Sequence, residues 1–166
     1  MKRNRGAATI EFTLVGIPLI FALVSTIEMS RGMWIYHAQT FAIDQGARYL
    51  VVHGADCTQN GNTCTTTVGS IATVIANSGV GLVPSNWNVT LISASGSNKV
   101  TCSPLSNCLT STTVWPPSSD NALGSNVAIS GSYPFSSAML MFFPGSAAVH
   151  FGTYNLGAYS KQTIMF

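Results

Sequence analysis

The sequence predicts an α+β protein, a long N-terminal transmembrane and stem helix packed on a small antiparallel β-sheet domain. Three observations carry this. Residues 12–27 form a 16-residue run without a charge. Between Phe12 and Val52 the helix breakers are few: Gly16 and Pro18 inside the run, then Gly32 and Gly46. After Gly54 the composition turns to Thr, Ser, Asn and Gly, with short runs that alternate apolar and polar side chains.

Composition narrows the function classes. Only 7% of the 166 residues are charged, against roughly 25% in an ordinary soluble domain, and 46% are hydrophobic. A disordered chain needs the opposite balance. A net charge of +2 is too small for a nucleic-acid footprint. A freely soluble enzyme fits poorly, because few charges remain to solvate its surface. The apolar excess is expected against a membrane or other protein.

The first element starts behind three of the seven basic residues, Lys2, Arg3 and Arg5. As a helix, residues 12–27 span about 24 Å, short of a ~30 Å hydrocarbon core. Starting at Ala7 gives roughly 31 Å but places Glu11 inside the span. Basic residues before the span orient it with its N-terminus in the cytoplasm. A secretory signal peptide fits poorly: Glu11 opens the apolar core, and no Ala-x-Ala site precedes Glu28. A plain signal anchor and a segment processed at Gly6 remain. Glu11 is then either a headgroup-level carboxylate or a functional acid, since a carboxylate in a membrane helix costs roughly 2.5–3.5 kcal/mol and needs a partner. Pro18 removes a helix hydrogen bond, giving either a packing kink or a harmless one.

Arg5-Gly6-Ala7-Ala8-Thr9-Ile10-Glu11-Phe12 resembles a type IV prepilin processing site. That pattern is a short basic leader ending in Gly, with Glu fifth in the mature chain; counted from Ala7, Glu11 is fifth. Together with Pro18, the segment most resembles the TadE-like minor pilins, or pseudopilins, of tight-adherence (Tad/Flp) pili. The likeness covers residues 1 to about 54 well and the C-terminal third loosely, and includes Glu28-Met-Ser-Arg31-Gly32 and Asp44-Gln-Gly46-Ala47-Arg48. The first is a variant order, and Asp44-Gln45 stands where Arg-Glu is common in the family. The resemblance implies cleavage between Gly6 and Ala7 by a prepilin peptidase. It implies that Glu11 pairs with the α-amine of a neighbouring subunit. The implied partners are other pilin subunits, the Tad assembly machinery and the bacterial inner membrane. The implied location is single-pass, with the C-terminal domain periplasmic and, after assembly, in the extracellular pilus.

The expected domains are a leader (1–6), a transmembrane and stem helix (7–53) and an extracytoplasmic α+β domain (54–166). The helix is expected from about Ala8 to His53, with Gly54 as its stop. Met33, Tyr36, His37, Thr40, Ile43, Ala47 and Leu50 trace an imperfect stripe, expected to pack on the C-terminal domain. Glu28 and Arg31 are expected as a solvated surface pair. Asp44 and Arg48 stand in the favourable i,i+4 order.

In the C-terminal domain, Val68, Ile71, Ala72 and Ile75 predict a short helix over 66–76. Strands are expected over 87–93, 99–102, 126–134 and 148–159. The last two form an antiparallel pair around a turn over 134–145. Residues 138–143 are too short to span a bilayer, leaving a core helical turn or an exposed apolar contact. Cys57, Cys64, Cys102 and Cys108 are even in number and lie on the translocated side, which favours disulfides. Four cysteines allow three pairings, and proximity favours 57–64 and 102–108. Zinc fits poorly, without a Cys-x-x-Cys or a completing His.

Nothing points to catalysis. His37, His53 and His150 have no nucleophile elbow around them, and Gly79-Val-Gly81 is too short for a phosphate loop. Asn88-Val-Thr90 matches a glycosylation acceptor, which the bacterial resemblance discounts. The expectation is a structural subunit and protease substrate with no cofactor, metal, nucleic acid or small-molecule substrate. The alternative is a signal-anchored periplasmic protein that binds an envelope partner and never enters a filament.

Overall fold

The structure, a computed structural model, describes residues 5–53, 66–137 and 153–165. Its elements are α1 (Arg5–Val51), α2 (Val68–Ser78), β1 (Asn88–Ile92), β2 (Lys99–Cys102), β3 (Asn126–Ser136) and β4 (Thr153–Thr163). A long apolar helix is thus followed by a four-stranded antiparallel sheet in the order β2-β1-β3-β4. The chain divides into two compact units. One comprises residues 1–34 with 136–152, the other residues 35–135 with 153–166.

In the first unit α1 is apolar on every side. Its hydroxyl residues stay helical by bonding backward. Thr13 donates to the Thr9 carbonyl (2.6 Å), Thr26 to Ala22 (2.8 Å) and Ser30 to Thr26 (2.8 Å). Such bonds let Ser and Thr sit in an apolar helix without an unsatisfied hydroxyl. The helix continues through Pro18.

In the second unit, residues 35–51 of α1 join α2 and one face of the sheet around the core. Trp87, Ile43, Leu50, Ile71, Ile75, Leu91, Leu105, Ile129 and Ile164 are its largest fully buried apolar side chains. α2 opens with a capping box. Thr67 Oγ1 accepts from the Ser70 amide and Ser70 Oγ from the Thr67 amide, both at 3.1 Å, which satisfies two otherwise orphan donors. Val68, Ile71, Ala72 and Ile75 are buried as their spacing predicts. The helix starts two residues later than expected because the cap sits at Thr67.

β1 pairs with β2 through Val89↔Cys102 and Leu91↔Val100, and with β3 through Val89↔Gly131 and Leu91↔Ile129. The Gly124 amide donates to Ile164 and the Ile164 amide to Ser125, so the end of β4 lies beside the start of β3. β1 and β2 fall within the expected segments. β3 runs two residues past its expected end, and β4 is described from Thr153. Residues 148–152, the segment 138–143 and most of the expected turn lie outside the described residues.

Three details of α1 differ from expectation. It starts at Arg5 rather than near Ala8. It ends at Val51, because the Val51 carbonyl accepts the Met165 amide (3.2 Å) and the His53 amide returns to Leu50 (3.3 Å); Gly54 lies outside the described residues. Its packed face is also turned. Ile43, Ala47 and Leu50 are buried as expected, but Met33, Tyr36 and His37 are exposed, and Gln39, Ala42 and Gly46 are buried instead. The reason is close approach. A Cβ on Gly46 would meet Ile75 Cγ1 at 2.5 Å, so α2 presses directly on the Gly46 backbone. Small residues mark the closest approach between the buried Ile43 and Leu50, and the larger Tyr36 and Phe41 stay outside.

Candidate functional site

The functional residues named from sequence all belong to α1 or to the cysteines. Gly6 and Ala7 lie in the first turn of α1. One turn on, Glu11 is exposed and has no ion pair among the described residues. Around it the apolar side chains are bare: Ile10, Phe12, Leu14 and Val15 are all at least 65% exposed. The helix is long and apolar enough to cross a membrane, and none of its most apolar window is buried within the chain. A helix that is hydrophobic all round needs lipid or protein around it.

Glu28 and Arg31 lie where the uncharged run ends. Arg31 Nη1 stands 3.8 Å from Glu28 Oε1, and Arg31 Nη2 donates to the Ser136 carbonyl. The pair is not evenly solvated as expected: the Arg31 side chain is 44% exposed, that of Glu28 13%. Glu28 Oε2 has no hydrogen-bond partner among the described residues.

The second unit carries two polar clusters. Asp44 pairs with Arg48 Nε at 2.8 Å, in the expected i,i+4 geometry, and accepts from Ser160 and Gln162. These contacts tie α1 to β4 beside an open hollow lined by His37, Thr40, Phe41, Asp44, Tyr159 and Ser160. The other cluster was not foreseen. Asp120 Oδ2 accepts from Ser93 Oγ (2.5 Å), Ser95 Oγ (2.7 Å) and Asn98 Nδ2 (3.1 Å). Those bonds, Ser93's foremost, hold the Asp120 carboxyl below its ordinary pKa by stabilising the charged form. The sequence signal is one of only two acids in a nearly uncharged domain, downstream of a Ser-rich turn between strands.

Cys102 and Cys108 are joined by a disulfide across the turn that follows β2, both sulfurs' residues buried. Cys57 and Cys64 lie outside the described residues. Among the described residues no group of three or more His, Cys, Asp or Glu is placed to hold a metal.

The site is therefore an uncovered apolar helix with an acid near each end of its uncharged run. The family model for TadE-like proteins matches residues 6–48. This segment is TadE-like. The TadE-like segment starts at Gly6, contains Glu11, Pro18, Glu28 and Arg31, and ends at Arg48, three residues before α1 does. No curated protein and no solved structure matches the chain.

Proposed function

We propose that the chain is a prepilin-like subunit of a Tad-type pilus, processed by a prepilin peptidase between Gly6 and Ala7 and acting in pilus assembly, priming or adherence. The observation that carries this reading is the TadE-like match over residues 6–48, which opens on the residue before the proposed scissile bond. Its physical support is the bare apolar helix, with every side of its span available to lipid first and to neighbouring helices later.

In this reading Lys2, Arg3 and Arg5 hold the N-terminus in the cytoplasm, and the sheet domain is periplasmic. The Cys102–Cys108 disulfide supports that placement, because such bonds persist in oxidising compartments. Cleavage creates an α-amine at Ala7, one helical turn from Glu11. In an assembled filament the α-amine of one subunit meets Glu11 of the next, removing two unpaired charges from an apolar setting. The subunit is a structural component and a protease substrate, and it performs no chemistry of its own.

The N-terminal sequence of the mature protein tests this. A chain beginning at Ala7 is expected in cells with an active prepilin peptidase. Retention of residues 1–6 in such cells overturns the processing step and leaves a signal-anchored envelope protein.

A further inference from the structure

The uncharged run ends at Ile27, yet α1 continues without a break. A hydrocarbon core of ~30 Å takes about 20 helical residues, which carries the span from Phe12 to Arg31. The next turn presents Met33 and Trp34, 56% and 62% exposed, and Met29 on the turn before is 72% exposed. Trp87 and Trp115 are buried, so Trp34 is the exposed tryptophan of the described residues.

An indole has a large apolar body and one N–H donor, which suits the zone between acyl chains and headgroups. Arg31 fits the same level. Its alkyl stem can lie along apolar surface while its guanidinium reaches outward, to the Ser136 carbonyl in this structure. Glu28 sits one turn deeper, its side chain 13% exposed and facing Arg31. A lone carboxylate there is costly, and a neighbouring guanidinium lowers the cost.

We propose that Met29, Arg31, Met33 and Trp34 form an interfacial belt that seats α1 in the phospholipid headgroup layer distal to Glu11. The span is then residues 12–31, and the Glu28–Arg31 pair closes its distal end. This rests on the reading of α1 as a membrane anchor.

The test uses the full chain in phosphatidylcholine vesicles whose acyl chains are brominated either near the headgroup or near their ends. The difference in emission between the wild type and Trp34→Phe isolates Trp34; the position is exposed, so this variant folds. Shallow bromines are expected to remove most of that difference, and deep bromines or aqueous acrylamide much less. Quenching by acrylamide alone overturns the belt while the anchor stands. Protection from acrylamide and from both bromine positions overturns it in favour of a protein cover. A chain washed off the vesicles by alkaline carbonate overturns the anchor reading itself.

Discussion

Gln39 shows at the residue scale what periodicity misses. It is fully buried, and neither its amide nitrogen nor its oxygen has a hydrogen-bond partner among the described residues. It borders the backbone of Gly131, where a Cβ would lie 2.9 Å from Ile43 Cδ1 and 3.1 Å from both Gln39 Nε2 and Trp87 Nε1. Replacing a buried, unpaired polar group by an apolar one of similar shape is neutral or stabilising. Gln39→Met is therefore expected to leave stability unchanged or raise it by up to about 1 kcal/mol, read from urea unfolding. A loss of more than about 1 kcal/mol would mean the amide is paired after all. Asp120 behaves oppositely, as a polar group with every donor in place. Its folded pKa is depressed below the unfolded value near 3.9. The stability it contributes is complete above that unfolded value and is lost as pH falls through the folded one. Between about pH 5 and pH 2 the wild type should lose stability faster than Asp120→Asn. Parallel pH profiles for the two would remove Asp120 from the acid transition.

At the element scale, α2 and the stem part of α1 differ in legibility for a physical reason. On α2 the bulky apolar residues recur at helical spacing and the polar ones fall between them, so Val68, Ile71, Ala72 and Ile75 are legible directly. On α1, large apolar and aromatic residues surround the helix, so size alone does not separate the buried Ile43 and Leu50 from the exposed Met33, Tyr36 and Phe41. The packed face is marked by small residues, Ala42, Gly46 and Ala47, because α2 comes close there. β1 and β2 were legible because their alternation is clean. The contact of Asp120 with Ser93, Ser95 and Asn98 was not, since it joins segments more than 20 residues apart. Gly46→Val tests the close approach. Its Cβ would fall within 3 Å of Ile75 Cγ1 and Cδ1, so α1 and α2 must separate. Overpacking of this kind costs typically 1–3 kcal/mol. Thermal unfolding should show a lower midpoint, and pairing the change with Ile75→Ala should recover part of the loss. An unshifted midpoint in the single variant would mean the helices are not in contact at Gly46.

For the molecule as a whole, the sparse charges are concentrated where they do specific work. The described charged groups of α1 include a pair at Glu28–Arg31 and a pair at Asp44–Arg48, while Glu11 stands exposed without an ion-pair partner. Among the described residues that carboxylate has no ion pair, and in the proposed filament the α-amine of a cleaved neighbouring chain would pair with it. The consequence separates insertion from assembly. Insertion is expected to depend on the apolar run and the basic residues before it, which Glu11→Ala leaves intact. In the proposed filament, assembly depends on the lost pairing. Cells carrying Glu11→Ala are therefore expected to hold normal amounts of the chain in the membrane fraction, by carbonate extraction, yet fail to form pili, by electron microscopy or shearing. Glu11→Asp, which keeps the charge on a shorter arm, should restore part of the pili. Normal piliation with Glu11→Ala would remove Glu11 from assembly, and loss of the chain from the membrane would assign it to insertion instead.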